Sequence, residues 1–174
     1  AKKAYEVIRE SDTIILDASA TVLELAILLR QKPIKNLTIL TRSFPCFQEL
    51  TEVAEYSLIF VGGRFDRLLD ATAGRFARQM LESVHVDKSF VGVAGVDPLY
   101  GFSGPYEEDS TLKNISINNA DSSYLLADHT KFYKSFLYKF ADPEEVKYVI
   151  TDTAPDAEFM EPFTEKGLEF IICD

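Results

Sequence analysis

The chain has 174 residues, 47% of them hydrophobic, and no low-complexity tract, a size that suits one compact domain with a real core. Its formal net charge is -10, whereas a nucleic-acid surface needs clustered Lys and Arg to displace counterions from phosphates, so composition argues against this segment touching DNA itself. No apolar stretch approaches the roughly 18 to 20 residues of a membrane span and no signal peptide opens the chain, which reads as cytoplasmic.

The chain begins without methionine, inside an amphipathic helical pattern, so the natural N-terminus is expected to be missing. Ile14-Ile15-Leu16 then reads as a buried strand that stops at Asp17 and leads into Ser19 and Thr21. Val22, Leu25, Ala26 and Leu29 recur with helical spacing before Pro33. Leu37 to Thr41 reads as a strand leading into Ser43, and Ser57 to Val61 as one leading into Gly62-Gly63. A second helical pattern runs through Ala73, Phe76, Ala77, Met80, Leu81 and Val84. Val91 to Val96 is expected to be a strand ending at Asp97, and Pro98 to Tyr106, with Gly101, Gly104 and Pro105, a loop that rims a pocket. Another apolar run, Tyr124 to Ala127, stops at Asp128, with Lys131 three residues on. Phe136 to Phe140, Tyr148 to Thr151 and Leu168 to Ile172 supply later strands, with Asp156 to Lys166 as the helix before the last one.

Continuous apolar runs this short suit strands covered on both faces, and their alternation with helices predicts an α/β domain, a largely parallel sheet flanked by helices. No internal repeat or linker interrupts residues 1–174, so a single domain is expected. Open sheets of this kind bind ligands outside the carboxyl ends of their strands, and here polar and glycine residues gather at those exits.

Each motif has a plain structural alternative. Asp17 to Thr21, between a strand and a helix, fits either an anion site at unpaired helix amides or an ordinary Ser/Thr cap. Thr41-Arg42-Ser43 and Gly62-Gly63 fit a shared crevice or simple turn chemistry. Asp109 and Lys113 stand four apart on one helix face, a spacing that usually means an exposed pair worth a few tenths of a kcal/mol. Asp128 fits a cap, whereas Lys131 in the first turn opposes the helix dipole, a penalty that a bound anion would relieve. His129 is expected to be exposed or structural. Lys2, Lys3, Arg64, Arg67, Arg75 and Arg78 are interleaved with apolar or acidic neighbours and read as a solvated face. Cys46 and Cys173 lack CxxC spacing and, with His85 and His129, make no recognisable metal set; two reduced thiols are expected. GxGxxG, GxxxxGK[ST] and GxSxG do not occur, which argues against nucleotide and serine-hydrolase chemistry.

In order, these segments resemble the C-terminal effector domain of DeoR-family bacterial transcriptional regulators. The resemblance rests on Asp17 to Thr21, Thr41 to Ser43, Gly62-Gly63, Asp87 to Gly92 and Gly95 to Asp97. It continues through Gly101 to Ser103, the acidic run Glu107 to Lys113, Leu126 to Phe132 and Ile150 to Asp152. Each motif is weak alone; order and spacing together are specific, and they span nearly the whole chain.

The resemblance implies a fold related to ribose-5-phosphate isomerase and CoA-transferases, and the sensing of a phosphorylated sugar or related metabolite without a cofactor, a metal or catalysis. It implies operator DNA as a partner only through a winged helix-turn-helix absent from this chain, and assembly into a homo-oligomer. Asp17, Ser19, Thr21, Thr41 and Ser43 would line the phosphate end of the site, with Ala20, Gly62 and Gly63 among the residues that bind the effector. Asp97, Ser103, Glu108, Lys113, Asp128 and Lys131 would line the sugar end, with Gly101 and Phe102 also among the residues that bind the effector. Ala20, Arg42 and Gly104 depart from the usual Thr, Asn and Thr, and Arg42 either adds a cation to the site or points to solvent. A competing expectation is a sugar-phosphate isomerase using Asp97, Glu108 and Lys113 for proton transfer. Pro98-Leu99-Tyr100 stands where those enzymes carry a Lys and Gly-rich stretch, which favours binding without turnover.

Overall fold

The computed structural model describes residues 1–173. In chain order the elements are α1 (Lys2–Glu6), β1 (Thr13–Leu16), α2 (Ala20–Gln31), β2 (Thr38–Thr41), α3 (Phe44–Leu50), β3 (Ser57–Phe60), β4 (Arg64–Asp66), β5 (Ala71–Ala73) and α4 (Arg75–Glu82). They continue with β6 (Val86–Gly92), β7 (Gly95–Asp97), β8 (Gly101–Gly104), α5 (Glu107–Asn118), β9 (Ala120–Leu126), β10 (Tyr138–Ala141), β11 (Tyr148–Thr151), α6 (Ala157–Thr164) and β12 (Glu169–Ile172). Seven strands form one sheet in the order β12-β11-β9-β6-β1-β2-β3, and every pairing within it is parallel.

Side chains alternate across a strand, so a sheet covered on both faces needs apolar residues at consecutive positions. Ile14, Leu16, Ile39, Phe90, Tyr124 and Ile150 point into one layer, where Leu25, Leu29 and Leu50 of α2 and α3 cover them. On the opposite face Ile15, Leu40 and Val61 meet Ala77, Leu81 and Leu112 of α4 and α5. Val91, Leu125 and Val149, also on that face, pack with Phe102, Phe140, Phe159 and Phe163. Strand register places Phe90, Tyr124 and Tyr148 side by side, and their rings stack at centroid distances of 5.2 and 4.7 Å.

Several boundaries differ from expectation. The run Val91 to Val96 is not one strand: β6 ends at Gly92 and the chain crosses to β7, which pairs antiparallel with β8 in a separate sheet ordered β10-β8-β7. A run of apolar residues carries no mark of the sheet to which each belongs. Likewise the expected loop Pro98 to Tyr106 contains the buried strand β8, whose Gly101 has φ +95° and lies so close to β10 that a Cβ would meet the Ala141 carbonyl at 2.6 Å. Phe136 to Phe140 yields β10, shifted to Tyr138–Ala141 and outside the main sheet. The helix expected from Ala73 begins at Arg75, because Ala71–Ala73 pairs with β4. Gly63, with φ +148°, sits against the Ala73 carbonyl where that hairpin leaves β3.

Candidate functional site

The chain leaves β1 toward β2 and β3 on one side of the main sheet, while β6, β9, β11 and β12 extend on the other. Between β1 and β6 the strand order reverses, and in open α/β sheets such a switch point is where ligands are held, beyond the carboxyl ends of the strands.

Asp17 follows β1 directly and is 2% exposed. Its Oδ1 accepts from the Ser19 amide at 2.9 Å and the Ser19 hydroxyl at 2.7 Å, and its Oδ2 from the Gly92 amide at 2.9 Å. The loop after β1 is thereby tied to the end of β6. Gly92 is required there, since a Cβ would lie 2.3 Å from Ser19 Cβ. Lys113, on the buried face of α5, donates from Nζ to the Gly92 carbonyl at 2.7 Å. The same Nζ lies 3.4 Å from Asp17 Oδ2, 3.3 Å from Asp109 Oδ2 and 5.6 Å from the centre of the Phe140 ring. Asp109 is also paired with the guanidinium of Arg42, whose other terminal nitrogen donates to the Thr72 carbonyl at 3.1 Å.

These four residues are 2 to 8% exposed and alternate in sign along the chain of contacts: Asp17, Lys113, Asp109, Arg42. An unpaired charge so deeply buried would cost several kcal/mol, and here each has an opposite neighbour. The expectation of an exposed Asp109–Lys113 helix pair is therefore corrected, and of the two readings of Arg42 the buried cation holds. Asp109 and Gly92 are not among the site residues expected from sequence. The signal within reach was the pair of buried-side acids and bases at i, i+4 on α5, whose apolar flanks Leu112 and Ile117 are both buried.

The hydroxyls nearby are engaged. Thr41 Oγ1 donates to the Leu16 carbonyl at 2.8 Å and accepts from the Ser43 amide at 3.1 Å, and Ser43 Oγ caps α3 by accepting from the Cys46 amide at 3.3 Å. Burial, with added repulsion from Asp17 and Glu49, pushes the Cys46 thiol up to about 12 against the lowering effect of Ser43.

A cleft of about 120 Å³ opens at the exits of β9 and β11 and is lined by Thr21 and Asp128 together with Thr151 and Asp152. Asp128 caps a short 3-10 turn over residues 129–131, accepting from the Thr130 amide at 2.9 Å. The Thr130 hydroxyl, more than any other group, holds the Asp128 carboxyl below the usual carboxylate range, with the charge of Lys131 adding to it. His129 is held by Asp152 through its amide and its Nδ1, both at 2.7 Å. Burial works against the Asp152 carboxylate, yet the bonds from His129 outweigh it and lower its pKa. Asp152 was not singled out as a site residue from sequence.

The remaining expected residues are occupied separately. Asp97 Oδ1 accepts from the amides of Leu99 and Tyr100, and Ser103 Oγ accepts from the Phe136 amide at 2.8 Å. Gly101 and Phe102 build β8, with Phe102 in the core. Glu108 accepts from the Gly74 amide at 3.3 Å and lies 3.5 Å from Arg78. Asp97, Glu108 and Lys113 thus have separate partners and make no common proton-transfer set. Ala20 is exposed at the start of α2, Lys131 is half-buried beside Asp128, and Gly62 and Gly63 are exposed after β3. Among the described residues no group of three or more His, Cys, Asp or Glu is placed to hold a metal ion, and no helix is long and apolar enough to cross a membrane.

A parallel sheet flanked by helices, with charged side chains gathered at its switch point, defines an open α/β domain. The family described as "DeoR C terminal sensor domain" matches residues 1–153, and the chain belongs to it. It is 29% identical over 171 residues to the HTH-type transcriptional repressor GlcR of Bacillus subtilis (strain 168), covering 98% of this chain and 65% of that protein. Against the lactose phosphotransferase system repressor of Lactococcus lactis subsp. lactis it is 26% identical over 167 residues, covering 95% of this chain and 64% of the relative. The chain thus spans somewhat less than two thirds of the length of these relatives. In fold it is similar to ribose 5-phosphate isomerase A from Methanocaldococcus jannaschii, with a TM-score of 0.52 and 19% identity over 76% of this chain and 52% of that one. The expected isomerase-like architecture is borne out, as is the expected membership of the sensor-domain family; the two relatives are themselves named as repressors.

Proposed function

We propose that this domain senses a phosphorylated sugar or a closely related metabolite inside a longer transcriptional repressor, and that binding changes the regulator's affinity for its operator. The observation that carries this reading is the buried alternation of Asp17, Lys113, Asp109 and Arg42 at the switch point. Buried ion pairs are weak contributors to stability compared with apolar packing, so four charges buried together where α/β sheets bind ligands fit recognition better than architecture. The names of the relatives, one of which speaks of a lactose phosphotransferase system, agree with a carbohydrate signal.

In this reading the phosphate lies toward the loops after β1 and β2, around Ser19, Thr21, Thr41 and Ser43. The polyol reaches toward the cleft of Asp128 and Lys131. DNA is contacted outside this acidic chain, and the regulator works as a symmetric homo-oligomer matched to two-fold operators. Coupling requires that the ligand favour one of two global states, since equal affinity for both shifts nothing.

A thermal-shift screen against hexose and pentose phosphates tests the reading. A ligand at about 100 times its Kd stabilises by roughly 2.7 kcal/mol, which raises Tm by about 5 to 11 °C for a domain of this size. Absence of any shift across the panel would refute it.

A further inference from the structure

Resting on the reading above, we infer that the Asp109 carboxylate is a stand-in anion. Arg42 and Lys113, which it bridges here, form the seat of the ligand's phosphate monoester group, and Asp109 withdraws when that group binds.

The four buried charges are not held alike. Asp17 is locked by three donors from Ser19 and Gly92 besides Lys113. Asp109, by contrast, is engaged through its side chain with Arg42 and Lys113. The two cations keep their places by other means: Arg42 on the Thr72 carbonyl, Lys113 on the Gly92 carbonyl and over the Phe140 ring. Removing Asp109 would leave a guanidinium and an ammonium, from different layers of the fold, converging on one point. That pairing of a planar fork and a point charge suits a phosphate, whose greater negative charge and extra acceptor oxygens satisfy two cations better than one carboxylate does.

Asp109 lies in the first turn of α5, where Tyr106 at the N-cap supplies no side-chain cap. Its neighbour Glu108 is anchored separately, on the Gly74 amide and Arg78, so the Asp109 side chain can turn away without releasing the helix start. The neighbouring Ser110 hydroxyl is buried, 4% exposed, without a hydrogen-bond partner. A buried hydroxyl left unpaired is costly, and it marks the turn as one whose polar groups are incompletely satisfied in this arrangement.

The test is binding of inorganic phosphate, in phosphate-free buffer, to the wild type and to Asp109→Asn, Arg42→Gln and the double variant, with Glu161→Gln as a remote control. Asp109→Asn should tighten phosphate binding on the order of tenfold or more, the scale set by losing a competing charge-assisted contact. Arg42→Gln should abolish binding, and the double variant should lose the gain. Should Asp109→Asn fail to fold, the wild type still decides. The guanidinium resonance of Arg42, assigned by its disappearance in Arg42→Gln, must shift at saturating phosphate, and a stationary resonance overturns the inference. Unchanged phosphate affinity in both single variants, alongside wild-type binding of a sugar phosphate, overturns the stand-in role and leaves the sensor reading intact. A wild type that binds no sugar phosphate overturns both.

Discussion

Replacing Lys113 by Met keeps the length of the side chain and removes its charge, which isolates what the ammonium does between α5 and the end of β6. Lys113 is 10% exposed at its side chain, Asp17 2% and Asp109 11%, so solvent screening gives no large discount. Breaking a buried pair by deleting one partner costs about 3 to 5 kcal/mol. Asp17 keeps three other donors and Asp109 keeps Arg42, which places the loss at the lower end. The Gly92 carbonyl, however, loses its 2.7 Å donor, and an unsatisfied buried carbonyl adds on the order of 1 kcal/mol. The expected destabilisation is about 3 to 4 kcal/mol, or a fall in Tm of roughly 6 to 16 °C at 2 to 4 °C per kcal/mol for a domain this long. Urea denaturation followed by circular dichroism measures it, with an unchanged m-value as the check that the unfolding transition is the same one. A variant within about 1 kcal/mol of the wild type would show that the ammonium is not holding these carboxylates in solution, and the account of the buried charge cluster would be wrong.

Gly92→Ala should lower stability by about 1 to 3 kcal/mol, because the new methyl meets Ser19 at 2.3 Å and must push the loop after β1 away; denaturant titration reads the loss, and an unaffected variant contradicts the close approach. Cys46, with its thiol near 12, should stay unreactive toward a disulfide reagent at pH 8 in the native state, while the partly exposed Cys173 reacts; two fast equivalents per chain would refute this. Asp128 has a folded pKa below its unfolded one, so its contribution to stability is present above the usual value of 3.8 and is lost as pH falls through the folded value. Carbon-detected NMR titration should show Thr130→Ala returning Asp128 toward 3.8, and no change would remove the Thr130 hydroxyl as the cause.

Apolar runs and helical spacing were enough to reveal a parallel α/β domain, because burial on both faces of a strand writes itself into consecutive residues such as Ile14, Ile15 and Leu16. The same pattern placed Asp17, Thr41 and Asp128 at strand exits, where backbone polarity must be satisfied and ligands bind. The order of weak motifs further located the chain in its sensor-domain family. What sequence could not supply was partnership at a distance. Arg42 and Asp109 stand 67 residues apart, and Asp17 and Gly92 75; nothing local to either position announces its partner. Sheet membership was equally hidden. Gly92 ends β6 and Gly95 starts β7 in another sheet, a parting enforced by close contact of Gly92 with Ser19 and of Gly95 with the Lys134 carbonyl, where a Cβ would come within 2.6 Å. Periodicity records only whether a side chain is buried. Which charge neutralises which, and which glycine admits another segment's backbone, is decided when the layers close, because burial makes an unpaired charge or an extra methyl intolerable only then.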